Sequence, residues 1–223
     1  MEREVKPEIL DSLPEMHPDA LHNRRDIRRM NRLMGNHRWF IRQVKKHRYP
    51  RERFLEVGAG TGELGFLLWK EGLDEQTDAP NTGLDLISRP PLWPVNWRWI
   101  QTDLATFHDF ATFPVILASM VLHQFEDAVL RALGERIQAG SRAIFASEPA
   151  RRPLHLLQLR LLGRILGINY VTRHDARVSV EAGFIGDELP RLLGLDPSTW
   201  RWDCATGLRG QYRMAAVRKQ VSA

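Results

Sequence analysis

The chain is poor in sulfur. Among its 223 residues there is one cysteine, Cys204. It cannot pair within the chain, and no CxxC or Cys/His spacing accompanies it, which excludes an internal disulfide and a structural zinc site. A reducing, cytoplasmic setting is the expectation. Long apolar runs are missing too: nothing approaches the about 18 consecutive apolar residues of a membrane-spanning helix. The opening MEREVKPEIL is charged, so no secretory leader is expected. Internal repeats, low-complexity tracts and a metal-ligand constellation are also lacking. Charge of one sign is not concentrated either. Lys+Arg number 32 against 27 Asp+Glu, a net +5. A pI near 9.8 permits a nucleic-acid partner. The arginines, however, are scattered through helical stretches, which reads as solvated faces rather than a nucleic-acid groove.

What is there is a globular composition, 43% hydrophobic and 26% charged, long enough for one sizeable core. Residues 1–19, proline-rich and charged, read as an arm or short helix. Residues 19–34 follow a helical pattern with Leu21, Ile27, Met30, Leu33 and Met34 on a broad face, ended by Gly35-Asn36. A second helix at 38–47 packs Trp39, Phe40 and Val44, and Pro50 stops it. Strands are expected at 53–57, at TGLDLI ending near Asp85, at NWRWIQTD ending at Asp103, and at 115–119 and 142–147. Helices are expected at 62–71 and 126–138, with a polar loop, EGLDEQTDAPN, after the first. Short apolar strands alternating with helices argue for a parallel α/β sheet with right-handed crossovers. After Pro153 the run LHLLQLRLLGRILG is a helix, with Arg160 and Arg164 on a polar side. NYVTRHDARVSVEAGF reads as a loop, and 187–194 as a short helix. TWRWDCAT and GQYRMAAVRK form a closing antiparallel hairpin.

The stretch that organises the rest is FLEVGAGTGELG, residues 54–65. An apolar strand, alternate glycines and a helix start form a nucleotide-binding corner, since glycine admits positive φ and removes the Cβ atoms that would hold a ligand off the backbone. Gly60, Gly62 and Gly65 match GxGxxG, and Asp85 follows Gly62 by 23 residues, as in a dinucleotide site. Glu56 points elsewhere. A carboxylate two residues before Gly58 gains nothing from a pyrophosphate and suits a cationic ligand. ExGxGxG after a strand, with acids ending the next two strands, resembles class I S-adenosylmethionine-dependent methyltransferases over residues 53–148, and the hairpin fits that family's final strand.

The resemblance implies a Rossmann-like seven-stranded, mostly parallel sheet with helices on both faces, an antiparallel C-terminal strand and extra N-terminal helices. Residues 1–52 would form a helical cap or lid and 53–223 the catalytic domain, with 150–195 an insertion joining the cap, all as one unit. Gly58, Ala59, Gly60 and Gly62 would line the methionine and ribose part of S-adenosylmethionine, and Glu56 would order that loop or meet the methionine amino group. Asp85 with Leu86 would take the ribose hydroxyls, Asp103 with Leu104 the adenine edge, and Ser119 would lie beside them. SMVLHQFED, residues 119–127, lacks the Asn/Asp-Pro-Pro-aromatic sequence of base-amino methylases and is similar to small-molecule methyltransferases of the ubiquinone/menaquinone-biosynthesis branch. His123 is therefore a candidate general base, with His174 the second. Glu148 and Arg173 are candidate substrate contacts, Glu148 alternatively capping the next helix. The expected reaction is methyl transfer to a hydroxyl or phenol oxygen, or an activated carbon, of a small, partly apolar acceptor. The alternatives are an RNA or protein methyltransferase and an NAD-binding Rossmann-like protein.

Overall fold

The computed structural model describes residues 1–47, 52–73, 81–165 and 168–219, without the side chains of 162–165. Five parallel strands, β1 (Phe54–Val57), β2 (Thr82–Asp85), β3 (Arg98–Gln101), β4 (Val115–Ser119) and β5 (Ala143–Pro149), are joined by β6 (Trp200–Thr206) and β7 (Gln211–Arg218) in one sheet. The strand order is β3-β2-β1-β4-β5-β7-β6, with β7 antiparallel to both its neighbours. The chain reverses direction across the sheet between β1 and β4, and in open α/β sheets the crevice beyond the carboxyl ends at such a point is where ligands bind.

Central strands covered on both faces read as unbroken apolar runs, and all four residues of β1 are buried, Glu56 included. Alternate side chains feed two cores. Leu55, Val57, Ile116, Ala118 and Ile144 meet α5 (Asp127–Gln138) and α8 (Glu188–Leu192). Phe54, Val115, Leu117 and Phe145 meet α3 (Asn36–His47) and α4 (Glu63–Lys70), with Trp93 and Trp97 closing the edge. Gly65 is required there, because a Cβ would stand 2.1 Å from the Trp93 ring.

Over the carboxyl ends lies a helical layer of α1 (Ile9–Ser12), α2 (Pro18–Met34), α6 (Pro153–Ile165) and α7 (Tyr170–Ala182), in which α7 touches the other three. Two expectations are corrected here. The stretch 170–182 is a helix, not a loop: the Asn169 side chain accepts from the Val171 N–H at 2.8 Å to cap it, and Val171, Thr172, Asp175, Val178, Ser179 and Ala182 recur on its buried face. In α2 the buried residues are Ala20, Asn23 and Asp26, whereas Leu21 and Leu33 are exposed. Helix α2 lines the cavity with Ile27, Met30, Leu33 and Met34, so its apolar stripe faces that space rather than a packed core. Gly35 ends it at φ +67° as the sequence implied. Pro50 and most of the polar loop after α4 lie outside the described residues, as does the side chain of Arg164.

Residues before α1 form an arm tied across the layer. The Arg3 guanidinium donates to the carbonyls of Ala182, His123 and Phe125 and to Asp127. The Met1 carbonyl accepts from Arg151 Nε at 2.9 Å.

Candidate active site

A cavity of about 1010 Å³ opens beyond β1, β2 and β4, under the helical layer. Its floor is the β1–α4 turn. Gly58 adopts φ +65°, and a Cβ on it would lie 2.5 Å from Val121. Gly60 adopts φ +52°, and a Cβ there would meet nothing nearer than 3.9 Å, so that backbone faces open space. Gly58, Ala59, Gly60, Glu56, Asp85, Leu86, Asp103, Leu104 and Ser119 all border the cavity, so nine of the ten residues expected around a cofactor are brought together. Gly62, the tenth, lies one step behind, against Pro90 and Trp93.

The acids differ in what they do. Asp85 accepts from the Gly60 amide at 2.7 Å and the Ile87 amide at 3.1 Å, so it shapes the glycine turn while facing the cavity. Asp103 accepts from the Ala105 amide at 2.8 Å and caps a short 3₁₀ turn that positions buried Leu104. Glu56 is 2% exposed, and its Oε2 has no hydrogen-bond partner among the described residues. Burial, with the nearby Asp85 carboxylate, pushes its pKa well above the ordinary value. At the end of β4, Met120 holds φ +58°, an uncommon conformation for a side-chain-bearing residue, at the border of the cavity.

His123 is buried between two carboxylates. Its Nδ1 lies 2.7 Å from Glu148 Oε2 and its Nε2 3.4 Å from Glu8 Oε1. Burial works against the charged ring, but its hydrogen bonds to the Glu148 and Glu8 carboxylates outweigh it and lift the His123 pKa to about 9. At neutral pH the group is an imidazolium with both N–H groups engaged. Glu148 is fully buried behind it. Its Oε1 takes the Val121 and Leu122 amides, so it caps the 3₁₀ turn at 122–124 rather than the helix that follows it in sequence, and it does not border the cavity. Arg173 and His174 do not border it either. Helical spacing turns Thr172, Ala176 and Ser179 inward and leaves Arg173 exposed, while His174 pairs with Asp175 at 3.1 Å.

Several polar residues here were not visible from sequence. Glu8 accepts from Ser179 Oγ at 2.5 Å, and His123 holds its carboxyl below the ordinary pKa against the effect of burial. Asp11 borders the cavity with its pKa pushed up to about 6 by burial and by Glu8 and Asp175. Asp175 caps α1 from a distant helix, taking the Ile9 and Leu10 amides at 2.8 and 3.1 Å. His155, 3% exposed, borders the far side. In the sequence its mark is a histidine set among the leucines of LHLLQLRLLG. Among the described residues no group of three or more His, Cys, Asp and Glu side chains is placed to hold a metal ion, and no helix is long and apolar enough to cross a membrane.

No protein-family model matches the chain, and no curated protein sequence matches it. Solved structures do. The plantazolicin methyltransferase BpumL in complex with SAH aligns with a TM-score of 0.71 at 12% identity, over 95% of this chain and 93% of that one. The magnesium protoporphyrin IX methyltransferase of Synechocystis PCC 6803 with bound SAH aligns with a TM-score of 0.51 at 16% identity, over 86% and 84%. The N-methyltransferase NodS of Bradyrhizobium japonicum WM9 in complex with S-adenosylhomocysteine aligns with a TM-score of 0.50 at 14% identity, over 83% and 86%. At these identities the likeness establishes the fold: the chain has the Rossmann-like, seven-stranded fold of class I S-adenosylmethionine-dependent methyltransferases.

Proposed function

We propose that the protein transfers a methyl group from S-adenosylmethionine to a small, partly apolar acceptor. The observation that carries this reading is Glu56: a buried carboxyl with an unpartnered oxygen, beside a glycine turn whose backbone at Gly60 faces open space. Such a carboxyl fits an ammonium group, which would restore its ionised form, and it fits a pyrophosphate badly. Asp85 is placed for ribose hydroxyls, and Asp103 with Leu104 for the adenine edge. When bound, the cofactor supplies an activated methyl group carried on a sulfonium. The chain then contributes position and dryness; alignment of reactants alone is worth roughly 7–11 kcal/mol. Helices α1, α2, α6 and α7 form the cap, which covers the acceptor and excludes water. His123, locked between Glu8 and Glu148, holds the 121–125 turn that borders the acceptor space rather than abstracting a proton.

The cavity volume is at the upper end of the about 300–1,000 Å³ typical of ligand pockets, room for the cofactor and a compact acceptor. Solved complexes of the plantazolicin methyltransferase BpumL hold monoazolic, triazolic and pentazolic desmethylPZN analogues; a short azole-containing molecule is thus an acceptor class to try here. A reducing, cytoplasmic setting belongs to the same proposal and rests on Cys204 standing alone. Calorimetry against S-adenosylhomocysteine and NAD tests the reading. Binding of the first and not the second is expected, and the reverse would overturn it. An RNA acceptor would instead reveal itself by affinity that falls steeply with salt.

A further inference from the structure

At the far side of the cavity from Asp85 and Asp103, Gln158 sits one turn after His155 on α6. Its Nε2 donates to the Leu208 carbonyl at 3.2 Å. A carbonyl only accepts, so the amide orientation is fixed and Gln158 Oε1 is the atom 2.9 Å from His155 Nδ1. Nδ1 must therefore carry the proton. A neutral ring with Nδ1–H leaves its lone pair on Nε2. That Nε2 is buried, belongs to a ring bordering the cavity, and has no partner among the described residues. Buried polar atoms are nearly always paired, which marks Nε2 as an acceptor awaiting a donor. Neither other candidate histidine offers this: both nitrogens of His123 are taken by carboxylates, and His174 lies off the cavity.

The surroundings narrow the donor. Met34, Leu159 and Leu208 border this side of the cavity, and the hairpin turn at Gly210 closes on the ring. Neither α6 nor the turn at 207–210 contains an acid, while Arg209 borders the cavity. An ammonium would find no counter-charge on these elements; a neutral, weakly acidic hydroxyl would find an acceptor.

We infer that His155 is the proton acceptor for a phenol- or enol-type hydroxyl, oriented by the Leu208–Gln158 relay. The O–H bond breaks with its electron pair left on oxygen, Nε2–H forms, and the imidazolium keeps its Nδ1–H on Gln158 while its new Nε2–H faces the oxyanion. The inference rests on the methyl-transfer reading for its purpose and on the relay for its geometry.

The test is a long-range ¹H–¹⁵N spectrum of protein labelled at histidine nitrogen, titrated first with phenol and then with anisole, which has the same ring without the O–H. His155 is assigned from its loss in His155→Asn or, should that variant not fold, from its displacement in Gln158→Leu. The expected spectrum has Nδ1 protonated and Nε2 bare, with Nε2 moving upfield on phenol and not on anisole. Gln158→Glu, which sets a carboxylate against Nδ1, should protonate both nitrogens and remove the phenol response. A bare Nδ1 in the unmodified protein, equal response to phenol and anisole, or no response to phenol overturns the assignment. S-adenosylhomocysteine binding is measured separately: its failure with the phenol response intact would sink methyl transfer and leave the hydroxyl site standing.

Discussion

The two halves of the cavity are built by different means. The half proposed for the cofactor comes from strand ends within one stretch, residues 56–104, and its shape is carried by backbone: a glycine turn, the Gly60 amide on Asp85, and a capped 3₁₀ turn at Asp103. The half proposed for the acceptor depends on side chains from five separate pieces of chain. Glu8 with His123 and Glu148, and Asn23 with Asp175, pair only once the arm, α2, the sheet and α7 are packed, while His155 comes from α6. A site made of backbone tolerates exchange of its neighbours but not of its glycines. A site made of buried charge is held by its least replaceable pair.

Breaking that pair should give the largest effect. Glu148→Ala leaves the His123 imidazolium with one carboxylate and removes the acceptor of the Val121 and Leu122 amides. Unpairing a buried charge costs about 3–5 kcal/mol, so urea unfolding should register a loss of that size; a loss under about 1 kcal/mol would mean the acceptor half is not held by charge. Next in size is a pH effect. The folded pKa of His123 is raised from 6.5 to about 9, so its contribution is complete below pH 6.5 and is lost as pH rises through 9. That shift corresponds to about 3 kcal/mol. Unfolding free energy should fall across this window, and His123→Gln should flatten the slope there.

The cofactor half should respond in binding. Asp85→Ala removes a charged acceptor and frees the Gly60 amide, so affinity for S-adenosylhomocysteine should drop by about 1.5–3 kcal/mol; unchanged affinity in calorimetry would remove Asp85 from the site. Because burial and Asp85 hold Glu56 toward its protonated form, binding of the same ligand should release protons, read as a heat that depends on the buffer. The smallest effects are expected at Arg173→Ala and His174→Ala. Both lie off the cavity, so stability should change within about 0.5 kcal/mol and binding not at all. A large effect at either would mean that α7 turns another face inward when ligand is present.

The same division explains what could be read before the fold was known. Glycine spacing and strand-terminal acids are local patterns, so Glu56, Gly58, Asp85 and Asp103 stood out, as did the strands and the closing hairpin. Helix α7 was misread because Thr, Asp and Ser interrupt its buried face; those polar residues are buried to serve partners elsewhere, Asp26 and Asp175 among them, and no local rule anticipates that. His123 was noticed, but its charge state depends on Glu8, 115 residues earlier, and Glu148, 25 later. His155 was passed over because its tautomer is set by a carbonyl on a hairpin 53 residues away.

The arm also bears on the order in which the molecule can assemble. Arg3 and Glu8 find their partners at residues 123–127 and 179–182. Contacts so far apart in sequence carry a loop-closure cost that local ones do not, and such topology slows folding. In a chain made from its amino end, every residue of the glycine corner is present once Asp103 has been added, whereas the first eight residues must wait for Ser179 and Ala182. A partly folded chain with the β1–β3 corner formed and the arm still loose would have the glycine turn and strand-end acids in place before it had the buried charges that hold the opposite wall.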